Sequence, residues 1–281
     1  MMRSLYSAIS GLKAHQTKMD VIGNNIANVN TTGFKRSSVT FATALSQTIQ
    51  GASTPNSSGS PAVGGTNPIQ VGLGTSIGAT NKIMTQGSNQ TTGNPLDMMI
   101  QGAGFFVLDY GGQTVYTRSG AFSTDGEGNL VDPATGAYVM DESGTGKINI
   151  PAGSTYSIDS TGAVTIVDGT ATPPTTTTKY IGIAISANPA GMTSLGNNYY
   201  AASNNSDSSS GTPTDPTVYG GTSNSYPKGT SLVTGALEMS NVDLSQEMTD
   251  MITAQRGFQA NSRVITVSDT LLQELIDLKR S

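Results

Sequence analysis

Apolar residues recur every seven positions at both ends of this chain, and the long stretch between them follows a different period. At the N-terminus Met1, Leu5, Ala8, Leu12, His15, Met19, Ile22, Ile26 and Val29 succeed one another in alternating steps of four and three, with only His15 polar. At the C-terminus Leu244, Met251, Phe258, Ile265 and Leu272 fall at strict sevens. Such spacing draws one narrow stripe along a helix, the pattern of a coiled-coil seam. A seam needs a partner. A chain that keeps its long helices at its two ends can pair them with each other or with copies of itself, which points to an assembly protein before any catalytic motif is sought.

Composition agrees. The 281 residues suffice for one large or two ordinary domains. Charged residues are 12%, about half the usual quarter of a soluble chain, and Ser, Thr, Asn and 34 glycines supply polarity instead. Few charges and many glycines suit turn-rich β-structure and surfaces that pack against their own copies without strong repulsion. A net charge of −5 and a pI near 4.7 argue against nucleic-acid binding, and Lys35-Arg36 is too short to be a basic footprint. With no cysteine, disulfides, zinc thiolates and thiol catalysis are excluded. No stretch approaches the roughly 18 apolar residues of a membrane span, so no membrane insertion is expected. Arg3 begins like a secretory signal, but Ser4, Ser7, Ser10 and Lys13 make the segment amphipathic. Export, if it occurs, is expected without a cleaved signal.

The pattern predicts an α+β chain: paired, coiled-coil-like long helices from the two termini and a central all-β body of irregular short strands. The expected domains are a helical one from 1–32 with 243–281, a linker at 33–79, and a β-rich body at 80–242. Within the linker, Val39, Phe41, Leu45 and Ile49 suggest a short helix near 37–50, and the Ser/Gly/Pro-rich 51–67 a loop serving as a compliant joint. From about 70 the period is two. FFVLDY and QTVYTR flank Gly111-Gly112, a hairpin signal. AFST, NLVD and AYVM read as short strands divided by turns, and KINIP, TYSI, AVTIV and KYIGIAIS continue them. Residues 170–178 and 203–225 are low in complexity and read as surface loops. Asp243, with Gln246 three residues on, is a capping signal for the last helix; acidic residues at its start and Lys279 and Arg280 at its end complement the helix dipole.

Chemistry is sparsely marked. His15 is the only histidine and sits in the helical stripe, so it reads as a register-setting or solvent-facing residue. Gly102-Ala103-Gly104 lacks the third glycine of a dinucleotide loop and leads into a strand. Asp125, Glu127 and Asn129 alternate with glycines, but the pattern of a helix-flanked calcium loop is absent and a hairpin turn is expected. No catalytic, cofactor-binding or metal-binding residue is assigned. Two function classes compete with assembly: a secreted β-rich hydrolase, which needs a carboxylate pair or metal cluster the sequence does not mark, and an adhesin built on the 203–225 loop, which needs no terminal heptads.

Specific strings go further than periodicity. SGLKAHQTKMDVIGNNIANVNTTGFK near the N-terminus, TQGSNQTTGNPLDMMIQGAGFFVL with YTRSGAFSTDGEGNLV, ANPAGMTSLGNNYYAAS, and the closing GALEMSNVDLSQEMTDMITAQRGFQANSRVITVSDTLLQELIDL resemble, in order, the signature blocks of the bacterial flagellar rod and hook proteins. Short hook proteins stand closer, with the distal rod protein as the alternative. The resemblance implies a flagellar axial subunit, in the extracellular hook or the basal-body rod. It implies export by the flagellar type III apparatus, and copies of itself and adjacent axial proteins as partners. It also implies an inner layer of terminal helices beneath a β-rich outer layer, and no cofactor. The motif residues carried over are Asn24, Asn25, Asn28, Gly33 and Phe34; Asn94, Pro95, Leu96, Asp97, Gly102, Gly104, Phe105 and Phe106; and Ala254, Gln255, Arg256, Asn261 and Ser262, with roles in folding and subunit contact. The expected interface seams are Leu5, Leu12, Met19, Ile22 and Ile26 on one helix and Leu244, Met251, Phe258, Ile265 and Leu272 on the other.

Overall fold

The computed structural model describes residues 2–55, 64–168, 175–209, 212–213, 216–220, 226 and 229–280. The chain divides into two compact units, one of residues 1–26, 37–81 and 243–281, the other of 27–36 and 82–242.

The first unit holds both long helices. α1 runs Met2–Ala27 and α2 runs Leu244–Arg280. At about 1.5 Å per residue they are roughly 39 and 55 Å long. Asp243 caps α2 as its sequence suggests, its Oδ1 accepting the backbone N–H of Ser245 at 2.9 Å and of Gln246 at 3.3 Å. The reciprocal half of the capping box does not form, because the Gln246 amide turns forward to Asp250 instead.

Residues 37–50 are not the expected helix. They are two strands, β1 (Ser37–Thr43) and β2 (Ser46–Gln50), which pair with β4 (Thr75–Lys82) and β3 (Ile69–Gly72) respectively. Backbone bonds from Ala44 N–H to the Gly74 carbonyl and from Leu73 N–H to the Leu45 carbonyl join the two pairs into one antiparallel ribbon, which rises roughly 45 Å at about 3.4 Å per residue. Val39, Thr40, Thr43, Thr48 and Ile49 supply the β-branched side chains that favour a pleat over a helix. The expected joint at 51–67 lies at the ribbon's far end. Its flanks meet in a Ser53–Thr66 bridge, while residues 56–63 fall outside the described residues.

The second unit is the β-body. β5 (Asn89–Thr91) pairs with Ala236–Glu238, and β6 (Met98–Gln101) with Ser231–Thr234. At its centre β7 (Phe105–Tyr110) and β8 (Gln113–Thr117) form the expected hairpin, with φ of 64° at Gly111 and 85° at Gly112, which an L side chain adopts only with strain. β7 is buried on both faces, which is why FFVL reads as an unbroken apolar run. Phe106 and Leu108 enter one core with Val115, Leu130, Ile148 and Ile183; Phe105 and Val107 enter a second with Tyr116, Met192 and Tyr200. The sheet extends from β8 through Tyr199–Ala201 to Thr193–Gly196, and from β7 through Tyr138–Val139 and Leu130–Val131 to Ser123–Thr124. A separate three-stranded sheet, Thr155–Ile158, Ala163–Asp168 and Thr175–Tyr180, adds Val164 and Ile166 to the larger core. Part of the expected 170–178 loop is therefore strand; residues 169–174, and parts of 203–225, fall outside the described residues. The Asp125–Asn129 segment is the expected turn: the Asp125 carboxylate accepts the N–H of Glu127 and Asn129.

Phe106 is fully buried and meets Phe122 edge-on at 5.1 Å, whereas Tyr110 on the same strand is half exposed. Phe106→Ala is expected to cost about 3–5 kcal/mol, and Tyr110→Ala well under half of that, by urea denaturation of the monomer.

Candidate functional site

The candidate site is the surface of the helical unit, and its construction starts with small residues. Gly11 abuts Asn261 so closely that a Cβ would stand 2.8 Å from the amide nitrogen, and a Cβ on Gly257 would stand 2.5 Å from the His15 ring. Near the far end of α1, Asn25 donates to Glu247 Oε2 at 3.1 Å. Each advance along α1 is matched by an equal retreat along α2, so the helices are antiparallel in one unbroken register. That register places the last turns of α2, from about 271, beyond the first residue of α1.

The contact between the helices runs on a different heptad series from the one expected. The most buried positions on α2 are Glu247, Ala254 and Ser268, which with Asn261 form their own strict seven-residue series of small and polar residues. Met251, Phe258, Ile265 and Leu272 flank it, half-buried. On α1, Ala8, Gly11, Ala14, Ile22 and Asn25 are buried, while Leu5, Leu12, Met19 and Ile26 lie half-buried beside them. Close approach favours side chains that take little room, so apart from Ile22 the large apolar residues are displaced to the rim. Leu244, expected in the seam, is 45% exposed; it is the first residue of α2 and precedes the Asn25–Glu247 contact. His15 does lie in the seam, its ring against Gly257 and 5.5 Å from that of Phe41 in an edge-on contact.

A second set of apolar residues is left largely exposed within the unit, Phe41 being only partly covered by the His15 ring. On α2 Met248, Ile252, Val264, Val267, Leu271, Leu275, Ile276 and Leu278 are 43–72% exposed. On the ribbon Leu45 is 85% exposed and Leu73, across from it, 40%; Phe41 and Ile77 share that face by the strand alternation. Large apolar side chains left exposed in these numbers mark a candidate interaction surface, and a two-stranded ribbon is only marginally stable without something packed on its face.

Several of the family-motif residues bind neighbouring segments. Asn25 is buried and binds Ser37 twice, Nδ2 donating to its carbonyl at 2.8 Å and Oδ1 accepting its N–H at 3.0 Å. Asn24, Gln255 and Arg256 are exposed. In the body, Asn28 and Thr31 bond each other, and Phe34 closes the same turn onto the Thr31 carbonyl. Gly33 has φ 69°, and a Cβ there would strike the Ser119 backbone at 2.6 Å. Asn94 bonds Asp97 and the Leu96 N–H in the turn that Pro95 occupies. Gly102 and Gly104, at φ 103° and 136°, let the chain pass close to Gly229 and Ile183 before Phe105 and Phe106 enter the two cores.

Within the body the segments leading to and from the helices meet on one buried carboxylate, which no local sequence signal marks. Glu238 Oε1 accepts Lys35 Nζ at 2.6 Å and the Gly87 N–H at 2.9 Å, and Oε2 accepts Arg118 Nε at 2.7 Å. Asn241 extends the hub, accepting from Arg36 N–H and donating to the Ile83 and Thr85 carbonyls. Burial pushes the Glu238 carboxyl up, but Arg118 and Lys35 and the Gly87 N–H outweigh it and hold it below the ordinary carboxylate range. Burial lowers Lys35 in spite of its hydrogen bond to and attraction by Glu238, and repulsion from Arg118 adds a smaller push in the same direction. One carboxylate gains from two cations; each cation shares one carboxylate.

Three family profiles match the chain: "Flagella basal body rod protein" over residues 5–35, "Flagellar hook protein FlgE/F/G D1 domain" over 99–166, and "Flagellar basal body rod FlgEFG protein C-terminal" over 233–278. The flagellar basal-body rod protein FlgG of Bacillus subtilis is 49% identical over 283 aligned residues, covering 100% of both chains. That of Agrobacterium fabrum is 40% identical, covering 96% of this chain and 97% of its own. The flagellar hook protein FlgE of Treponema pallidum is 54% identical over 140 residues, which are 50% of this chain and 29% of the hook protein.

Glu238→Gln, which leaves two buried cations facing a neutral amide, is expected to cost the body about 3–5 kcal/mol at pH 7. Because the carboxyl is depressed in the folded chain, its contribution is complete above the ordinary value of 4.5 and is lost as pH falls through the lower folded value. The gap between parent and variant in guanidinium midpoints should therefore narrow on going from pH 7 to pH 3. A second substitution tests the seam: Gly257→Val drives a side chain into His15 and should reduce helical circular dichroism while the body's melting transition stays in place.

Proposed function

The chain belongs to the flagellar rod and hook family, and from that premise we propose that it is a subunit of the basal-body rod, polymerising through its helical unit into a helical tube. The family is a structural component of the flagellum. End-to-end correspondence supports the rod: the rod relatives align over essentially the whole of both chains, whereas the hook relative shares half of this chain and less than a third of its own. The hook is the second reading, favoured by the higher identity within the shared half. On either reading the subunit works by contact rather than turnover, and its partners are its own copies and the adjoining axial proteins. The same reading has it delivered by the flagellar export apparatus with α1 retained in the mature subunit.

The observation that carries the proposal is the uncovered apolar surface of the helical unit, with Leu45 at 85%, Leu278 at 72% and Ile276 at 59% exposed. Covering one such side chain is worth roughly 1.5–3 kcal/mol, and in a helical polymer the gain recurs with every added copy. Since these residues touch little within the subunit, a charge placed there leaves the monomer intact. Leu45→Asp and Leu275→Asp are expected to abolish sedimentable polymer with no change in the monomer's melt. Ser46→Asp, next to Leu45 on the opposite face of the ribbon, should assemble normally. Unimpaired assembly of both Leu variants would remove this surface from the polymer contact. Electron microscopy of native basal bodies carrying a tagged chain separates rod from hook, by label on the straight rod or on the external curved tube.

A further inference from the structure

We propose that the body binds a small monovalent anion, of chloride size, in the cavity beside the Lys35–Glu238–Arg118 hub. Lys35 is 1% exposed and Arg118 5%, so two full positive charges are taken out of water. They share one carboxylate, and among the described residues the charged groups acting on Lys35 are Glu238 and Arg118. The hub therefore holds an excess of one positive charge in a low-dielectric setting, where an unbalanced charge is costly.

Donors are in excess as well. A lysine ammonium has three N–H groups. Among the described residues Lys35 spends two, on Glu238 Oε1 at 2.6 Å and on the Thr85 carbonyl at 2.8 Å. Arg118 gives Nε to Glu238, Nη2 to the Gly102 and Ile100 carbonyls and one Nη1 hydrogen to the Gly104 carbonyl, leaving the other Nη1 hydrogen. Buried donors without acceptors call for a bound water or ion. Both side chains line a cavity of about 60 Å³, with Phe105, Met84, Pro189, Gly102, Gly104 and the exposed Ala103 as its other walls. A single water needs only about 10–15 Å³ on the same measure, so there is room for a halide. Water would answer the donors and leave the charge; an anion answers both. The apolar part of the wall disfavours large, strongly hydrated anions, and Ala103 is the exposed residue of the lining.

The full-length monomer tests this by thermal melting at constant sodium, with gluconate exchanged stepwise for chloride. The expected result is a saturable rise of several degrees in the body's melting temperature. Lys35→Met removes the excess charge and should melt independently of the exchange. Ala103→Asp sets a tethered carboxylate at the opening and should melt as the chloride-saturated parent does, with or without chloride; it decides the matter if Lys35→Met fails to fold. In crystals soaked in bromide, anomalous density should stand within hydrogen-bonding distance of Lys35 Nζ. A parent melt that ignores the exchange, a chloride response that persists in Ala103→Asp, or ordered water at that position in place of bromide would overturn the proposal.

Discussion

The Glu238 carboxylate is where the body's long-range connections converge. The chain passes between its two units four times, and on the body side the passing segments, near Lys35, Thr85, Gly87 and Asn241, are bound to Glu238 or to one another. Through Arg118 the same carboxylate is tied to the carbonyls of Ile100, Gly102 and Gly104, just ahead of the two-faced strand that fills both cores. A buried ion group is weak support for stability in itself, since desolvation offsets most of its Coulomb gain. What it supplies is specificity: two cations, a backbone N–H and a carboxylate are satisfied together in one arrangement of those segments. On the helical side Asn25 has the matching task, binding Ser37 and Glu247 where the chain leaves α1 and enters α2.

With those ends fixed, size sets the division of labour along the helices. Small and polar residues are buried where α1 and α2 touch, so the pair closes tightly on little apolar area. The larger apolar side chains lie at the rim or on the outer faces, and the ribbon presents Leu45 and Leu73 in the same way. A chain with only 12% charged residues can leave such surface open to its own copies without strong mutual repulsion. On the proposed reading, hydrophobic stabilisation withheld from the subunit would be released on polymerisation.

Both helices, the hairpin at Gly111-Gly112 and most short strands are legible from period and turn chemistry. The seam is half legible. Met251, Phe258, Ile265 and Leu272 announce a heptad, but Glu247, Asn261 and Ser268 carry no apolar signal, and the contact falls on them because small or hydrogen-bonding side chains let backbones approach. Residues 37–50 mislead because Val39, Phe41, Leu45 and Ile49 fit a helical face nearly as well as a strand face. Their long-range partners at 69–82 decide the matter, and no window over 37–50 contains them. The hub is illegible for the same reason: Lys35, Arg118 and Glu238 are far apart in the chain and unremarkable where they stand. Resemblance to the rod and hook family finds Asn25 and Gly33 but cannot say what they touch.

Amide hydrogen exchange compared between monomer and polymer tests the central claim most directly, namely that the surface left open on the helical unit is what copies bury against one another. Protection should rise in the ribbon at 44–50 and 69–74 and along α2 from 264 to 278, with exchange in the body's strands at 98–117 unchanged. New protection confined to the body, with the ribbon and the end of α2 exchanging in the polymer as they do in the monomer, would contradict it.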